Sequence, residues 1–577
     1  MDNNDIKQPR FDTDLTDTVF SCVIPYIHPN DLNSVSLVSR KLYELDSMTR
    51  KHVTINNCYA VPPWRLVKRF PNLESIKLKG HPPAIMFRLV SFDWGGYITP
   101  WVEDIVEKLK RLECVWFKRM IVRDNDLEVL AERCGAKLKV LKLDKCSGFS
   151  TDGLLQIAKC CSKLRNLFLE LSFIIELDGE WLHELALRNK CIESFNHYLT
   201  PLDKYDHADL ALLAKNCRES LVSFKIKNIP LKYLVEIFGS CIKIKDFVGD
   251  PYLNDDEEDI PYSFPSNIQH ITWNYGGHLD VPAIQTFSHQ LTKLNLICSK
   301  FDSDDHCLIL YMSPNLEELY TKDTIGDFGL EVATLYCKKL RRVKIKRGGE
   351  EGQLSHVGLT TLAKGCPELE CLHVNVKDIT NETLECIGAN LKKLYDFSLV
   401  LRQEGEQLSD LPLDVGVRAL LKGCTKLVKL GIHLRTGGIT DVGWEYIGKY
   451  GQNLRQLKLG FCRDSDAGLV KLSKWCPRLQ KLEMSGCDFN QQALATFVLN
   501  VTSLRYLWIQ EYRAFENGHD IFALARPFWR MELIKYMPLV ATQQQPPSLF
   551  AYYSLAGQRT DYPDDSVIPL YPYVNFE

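Results

Sequence analysis

The chain has 577 residues, 45% apolar and 25% charged, the proportions of a globular protein in water. A net charge of −3 lacks the basic excess of a nucleic-acid binder, and no apolar run approaches the roughly 18 residues needed to cross a bilayer, so neither partner is expected. The opening Met1-Asp2-Asn3-Asn4-Asp5 is acidic and has no hydrophobic stretch, so no signal peptide is expected.

In chain order, the first predicted unit is a small helical domain over residues 1–55. Within it Val19, Val23, Ile24 and Ile27, then Leu32, Val35, Leu37, Val38 and Leu42, fall at helical spacing, with breaks at Pro25 and Pro29. The phrase Asp31-Leu32-Asn33-Ser34-Val35-Ser36-Leu37-Val38-Ser39-Arg40-Lys41-Leu42 resembles the F-box motif. The usual Leu-Pro opening is absent, and Leu42 stands where F-boxes commonly carry Trp.

Over residues 56–525 the pattern L-x-x-L-x-L returns about every 27 residues, as at Leu73-Ile76-Leu78, Leu138-Leu141-Leu143, Leu340-Val343-Ile345 and Leu454-Leu457-Leu459. That period predicts an α/β leucine-rich-repeat solenoid, a horseshoe with one strand and one helix per repeat. Helix-opening phrases recur between strands at Thr151-Asp152-Gly153-Leu154, Ser355-His356-Val357-Gly358 and Ser465-Asp466-Ala467-Gly468, each begun by a capping residue. Cys134, Cys217, Cys241, Cys337, Cys366, Cys424 and Cys476 recur near helix ends, which predicts packing thiols rather than disulfides or metal ligands. No C-x-x-C pair exists, so no zinc site is expected, and so many free thiols predict a reducing compartment, cytosol or nucleus. The sequons Asn381-Glu382-Thr383 and Asn500-Val501-Thr502 are then expected to stay unmodified.

Strand alternation sends the residues between the repeat leucines to the hollow. These include Lys77, Lys79, Trp116, Lys142, Asp144, Arg342, Lys344, His373, Asn375, Asp396, Ser398, Val400, His433, Lys458, Glu483 and Trp508. Basic residues dominate that face, which predicts an anionic guest. Longer repeat spacings place insertions at 80–105, 348–357 and 402–414, expected to be loops over the binding face. Residues 526–577 read as a C-terminal cap and tail. No G-x-S-x-G, P-loop or H-E-x-x-H is present, His197 and His270 read as packing or loop residues, and His373 and His433 face the hollow with no cysteine or carboxylate arrangement expected that suggests a triad. A binding protein rather than an enzyme is expected.

Longer phrases resemble one family. Arg69-Phe70-Pro71-Asn72-Leu73, Lys77-Leu78-Lys79-Gly80 and Trp94-Gly95-Gly96-Tyr97 are similar to plant auxin and jasmonate receptors alike. Leu143-Asp144-Lys145-Cys146-Ser147-Gly148-Phe149, Trp181-Leu182-His183-Glu184-Leu185-Ala186, Asp378-Ile379-Thr380-Asn381-Glu382 and the tail Ala551-Tyr552-Tyr553-Ser554-Leu555-Ala556-Gly557-Gln558-Arg559-Thr560-Asp561 resemble the coronatine-insensitive jasmonate receptors. The resemblance covers nearly the whole chain.

It implies a substrate-receptor subunit of a cullin–RING (SCF) ubiquitin ligase, joined to a Skp-type adaptor and cullin, working in the nucleus on jasmonate-ZIM-domain repressors. It further implies an inositol polyphosphate as structural cofactor on Lys77, Lys79, Arg119, Lys142, Arg342 and Arg505, with jasmonoyl-isoleucine as signalling ligand. The implied hormone pocket is Ala84, Phe87, Leu89, Lys344, Val400, His433, Lys458 and Trp508, and the implied repressor contacts are Met86, Arg347 and Asp396.

Where the family carries three arginines on the hormone's carboxylate and amide oxygens, this chain has Pro83, Lys344 and Ser398. Two pocket tyrosines become Asn375 and His433, and a leucine becomes Lys458. Losing two charged hydrogen bonds costs about 3–6 kcal/mol, on the order of 10²- to 10⁴-fold in affinity. The substitutions leave open a shifted or lost ligand, an auxin-type receptor on the same scaffold, and an F-box receptor that captures its substrate with no small molecule.

Overall fold

In the computed structural model, the described residues run from Thr18 to Pro572. The stretches 1–17, 19–21, 81–94, 253–263, 349–353, 402–410, 513–518, 521–525, 536–546, 562–566 and 573–577 and a few single positions lie outside the description. The chain divides into two compact units: Met1–His81 with Gly96–Ile192 and Thr200–Asp209, and Pro82–Gly95 with Glu193–Leu199 and Leu210–Glu577.

The first unit begins with the helical segment. Pro25 lies inside the 3-10 turn Ile24–Tyr26, and Pro29 opens the helix Pro29–Val35 instead of breaking one, since a first-turn proline needs no partner for a missing N–H. The helix Arg40–Thr49 follows, capped by Ser39, whose side chain accepts from the Leu42 N–H. It is fastened to the first repeat through Asp46, which is fully buried: Arg50 Nε donates to its Oδ1 at 2.8 Å, and the Arg69 guanidinium lies 3.5 Å from Oδ2 and 4.1 Å over the Tyr43 ring. Five parallel strands follow in register: β1 (His52–Ile55), β2 (Ser75–Lys79), β3 (Cys114–Lys118), β4 (Val140–Asp144) and β5 (Asn166–Phe168).

The second unit repeats the arrangement with β6 (Ser194–Asn196), β7 (Ser223–Pro230), β8 (Asp246–Tyr252), β9 (His270–Thr272), β10 (Lys293–Asn295) and β11 (Glu318–Lys322). It continues through β12 (Arg342–Lys346), β13 (Cys371–Val376), β14 (Asp396–Leu401), β15 (Lys429–His433), β16 (Gln456–Gly460), β17 (Lys481–Ser485) and β18 (Tyr506–Ile509). Neighbours in this series are parallel. The direction then reverses: β20 (Ser548–Tyr553) pairs antiparallel with β18 and with β19 (Trp529–Ile534), and β21 (Val567–Pro569) pairs with β19. The tail thus caps the sheet and covers the edge that an open solenoid would expose. Under it, Glu532 is fully buried, accepting from Tyr552 Oη at 2.7 Å and from Arg559 Nη1 at 3.0 Å.

The repeat leucines are buried and the residues between them half-exposed, so the alternation reads as expected in β2, β3 and β17. The helix-end cysteines are buried as packing units. The thiols of Cys241, Cys337 and Cys424 donate to the carbonyls of Ala214, Leu310 and Leu391 in the preceding repeat at 3.2–3.4 Å. Among the described residues no helix is long and apolar enough to cross a membrane.

One device welds the repeats. An acidic residue at the start of one helix accepts from the capping residue of the next repeat's helix. Asp124 takes the Ser150 N–H at 2.7 Å and its hydroxyl at 2.8 Å. Asp414 takes the Thr440 N–H at 3.0 Å, and Asp441 takes the Ser465 hydroxyl at 2.6 Å. The first of these corrects the expected cap by one residue: Ser150, not Thr151, caps Thr151–Cys160. The glycine of each helix-opening phrase makes room for that carboxylate; a Cβ on Gly443 would lie 2.2 Å from Asp414 Oδ1, and one on Gly153 would lie 2.6 Å from Asp124 Oδ1.

Candidate ligand-binding strand faces

In the first unit, alternation along β2, β3 and β4 puts Lys77, Lys79, Trp116, Lys118 and Lys142 on one face, with Arg119 just beyond β3. Lys77 Nζ sits 2.9 Å from the Trp116 ring centroid, Lys142 Nζ 5.1 Å and Lys118 Nζ 6.0 Å, so one indole collects three ammonium groups. Burial pulls the Lys77 ammonium down to about 8, and Lys79 and Lys118 push the same way. Lys118 pairs with Asp144, and Lys79 donates to Asn56 Oδ1 at 2.8 Å. Arg119 adopts φ 53°, and its N–H donates to the Asp144 carbonyl at 2.8 Å. One carboxylate against this many cations leaves a positive field, and an anion placed here would relieve the lysine repulsion that adds to the effect of burial on Lys77.

The second unit is closer to charge balance than the sequence indicated. Arg342 Nη1 lies 3.4 Å from Glu318 Oε1, and Lys293 lies 3.3 Å from the other oxygen. Lys225 meets Asp246 at 2.7 Å and Lys429 meets Asp396 at 3.0 Å. The acids sit one strand away in register, where sequence order does not reveal them. Arg505 lies just before β18, donates to the Thr502 and Leu504 carbonyls at 3.0 and 2.8 Å, and has its guanidinium 5.1 Å from the Tyr553 ring.

Register sets Lys344, His373, Ser398, Gly431, Lys458, Glu483 and Trp508 in one row across β12 to β18. The row is bulky at both ends and small in the middle: Ser398 faces Gly431, where a Cβ would lie 3.0 Å from the serine hydroxyl. This notch is part of a cleft of 530 Å³ lined by Ser398, Val400, Gly431, His433, Lys458, Glu483 and Trp508 among others, a size suited to a small organic molecule. Val400, His433, Lys458 and Trp508 are therefore brought together, while Lys344 is not in the lining and has its Nζ 5.1 Å from the Tyr320 ring.

His433 packs over Gly460 and edge-on to Phe461, and burial holds its imidazole below the ordinary value. Lys458 Nζ is 2.7 Å from Glu483 Oε2, while Lys481 Nζ is 2.6 Å from Oε1. Burial opposes ionisation of Glu483, but Lys481 and Lys458 outweigh it and keep the carboxyl below its usual range. Asn375 donates to the Ile345 carbonyl at 3.2 Å. Of the expected repressor contacts, Arg347 is exposed at the end of β12, and Asp396 is engaged by His373 Nε2 at 2.9 Å and by Lys429. Pro83, Ala84, Met86, Phe87 and Leu89 lie outside the described residues.

One expectation is overturned. His373 does have both a cysteine and a carboxylate beside it: Cys371 and Asp396 offer donor atoms within 4.8 Å of its ring nitrogen and of each other. Cys371 is two residues away on β13 and Asp396 is its register partner on β14, a juxtaposition made by strand pairing alone. The thiol is 4% exposed and burial raises it to about 11, so it is no poised nucleophile.

Comparison with known proteins agrees with this architecture. Residues 12–52 match the F-box family model and residues 71–117 match the Transport inhibitor response 1 protein domain. The chain is 46% identical to Coronatine-insensitive protein 1 of Arabidopsis thaliana, with 98% of each chain covered. It is 43% identical to Coronatine-insensitive protein homolog 1a of Oryza sativa subsp. japonica, covering 98% of this chain and 99% of that one. GRR1-like protein 1 of Arabidopsis thaliana is 30% identical over 95% of each. An F-box ahead of a leucine-rich-repeat solenoid, with such identity over nearly full length, makes this chain a member of the coronatine-insensitive protein family of F-box proteins.

Proposed function

We propose that the chain is the substrate-receptor subunit of an SCF-type cullin–RING ubiquitin ligase in jasmonate signalling, capturing jasmonate-ZIM-domain repressors for ubiquitination in the nucleus. In this reading the chain performs no chemical step; ubiquitin transfer belongs to other subunits. The observation that carries it is full-length family identity, supported by a small-molecule-sized cleft lined by Val400, His433, Lys458 and Trp508 among the expected pocket residues. The helical segment supports adaptor docking: Tyr26, Leu37 and Val38 are 89%, 84% and 74% exposed, an apolar surface that a Skp-type adaptor would cover. The basic face around Trp116 suits an inositol polyphosphate held by Lys77, Lys79, Arg119 and Lys142 as a structural cofactor.

A second reading, a shifted ligand, is favoured by the cleft itself. Ser398 and Gly431 leave an open notch where a forked cation would grip a carboxylate, and Lys458 is already engaged by Glu483. The test is capture of a repressor degron by the adaptor-bound full chain, with and without jasmonoyl-isoleucine and with indole-acetic acid as the auxin control. Capture is then remeasured in Ser398→Arg with Pro83→Arg. Capture that strengthens with jasmonoyl-isoleucine only after the arginines are restored supports a shifted ligand, and no rescue sinks that reading. No degron capture in any arm sinks the repressor assignment.

A further inference from the structure

Cys371, His373 and Asp396 share one face of β13 and β14, with sulfur, imidazole nitrogen and carboxylate oxygen all within 4.8 Å of one another. We infer that these three side chains form a binding site for a single divalent zinc-like cation, a site that does not depend on the ligase assignment.

The chemistry of the donor set carries the inference. Thiolate, imidazole and carboxylate are the three side-chain donors zinc takes, and three protein ligands with a fourth position open is the arrangement of an accessible site. A tetrahedral ion with bonds of about 2.0–2.3 Å holds its ligand atoms roughly 3.3–3.8 Å apart. The His373 Nε2 to Asp396 Oδ1 separation is 2.9 Å and the widest is within 4.8 Å, so small rotations of side chains on two paired strands reach that geometry. The ligands come from regular sheet, and Cys371 is 4% exposed, so its sulfur is already fixed in place. Asp396 also has an outer hydrogen-bond partner, Lys429 Nζ on Oδ2 at 3.0 Å, of the kind that orients a ligating carboxylate.

Charge is the counter-argument, because Arg342 and Lys344 stand opposite Cys371 and His373 in register and Lys429 touches Asp396. Ligation removes the thiol proton to solvent, so a divalent ion arrives together with one new anion. Thiolate and carboxylate then neutralise it, and the flanking cations meet a neutral centre, not a dication. A soft or borderline ion therefore fits, whereas magnesium and calcium, which prefer all-oxygen shells, do not.

The experiment uses the metal-stripped, reduced full-length chain. Zinc is titrated calorimetrically, and cobalt(II) is used as a spectroscopic stand-in whose thiolate-to-metal charge-transfer band reports sulfur ligation. The chain should bind one equivalent of cobalt with that band, and Cys371→Ser should abolish it. His373→Gln, a change at a half-exposed position that leaves the core untouched, should weaken zinc at least tenfold while the melting temperature of the metal-free chain stays unchanged. Absence of the charge-transfer band in the unsubstituted chain overturns the inference. So does a band that persists in Cys371→Ser, or zinc affinity in His373→Gln within twofold of the original. Adding calcium or magnesium alone should produce no saturable signal at this site.

Discussion

Lys458 on β16 reaches across to Glu483 on β17 at 2.7 Å, and that contact ties up the ammonium that faces the cleft. A cation already engaged by a carboxylate is a weaker hold on a second one, so the cleft's charge chemistry turns on Glu483 as much as on Lys458.

Glu483→Gln is therefore expected to increase binding of carboxylate-bearing ligands in the cleft by about 10-fold, within the range of one charged hydrogen bond. It should cost about 1–2 kcal/mol of stability, discounted because the Lys458 side chain is 55% exposed. The carboxyl sits below its ordinary value in the folded chain, so this stabilisation is present above about pH 4.3 and is lost as pH falls through the folded value. Melting temperatures from pH 3 to 7 for both chains check this: the variant should lose the acid limb.

The Lys77 ammonium titrates at about 8. An inositol polyphosphate held by the Trp116 face should bind tightly while Lys77 is protonated and lose affinity as pH rises through about 8. Lys77→Met should remove that pH dependence and lower affinity about 10-fold or more, as expected for one charge-assisted contact. Titration of inositol hexakisphosphate at pH 7 and pH 9 reads both effects.

Asp46 fastens the helical segment to the first repeat, with Arg50 and Arg69 converging on a fully buried carboxylate. Asp46→Ala leaves Arg50 without its counter-charge and is expected to cost about 3 kcal/mol. Limited proteolysis should then cut between the segment and the repeats while the solenoid stays intact.

Gly443→Ala drives a Cβ to 2.2 Å from Asp414 Oδ1 and should break the link from Asp414 to Thr440. The expected loss is about 1–3 kcal/mol, the sum of a helix cap and steric strain. Asp414→Ala alone should lose less, about 1 kcal/mol, and the double variant should be less than additive. Urea unfolding of the three chains measures the coupling.

Burial raises the Glu532 carboxyl to about 7 despite Arg559. Because the folded value exceeds the unfolded one, this group lowers stability as pH climbs from about 4.3 to 7. Glu532→Gln should flatten that decline by about 1–3 kcal/mol, read as urea midpoints at pH 5 and pH 8.

Much of this fold was legible because burial writes apolar residues at fixed intervals. The L-x-x-L-x-L pattern breaks where a polar side chain takes a core position. Thr321 in β11 is fully buried and bonded to His306 Nε2 at 2.7 Å, and His197, one residue past β6, is fully buried edge-on to the Phe195 ring at 5.4 Å. The broken pattern at β11 also hides Glu318, so in the sequence Arg342 stands without an opposing acid. The lysines of the first unit share a face by strand alternation, a relationship the sequence carries by itself. The grouping of Cys371 with Asp396 was illegible, because it depends on which residue of the next strand falls opposite.

The acid-to-cap link between successive helices has a consequence for how such an array can be altered. Asp414 belongs to one module and the Thr440 it secures belongs to the next, so neither of these two modules closes on its own. Excising a single copy leaves an acceptor on one side and a donor on the other. Viable insertions, deletions and chimeric junctions must therefore fall where a new neighbour restores both halves of the broken link.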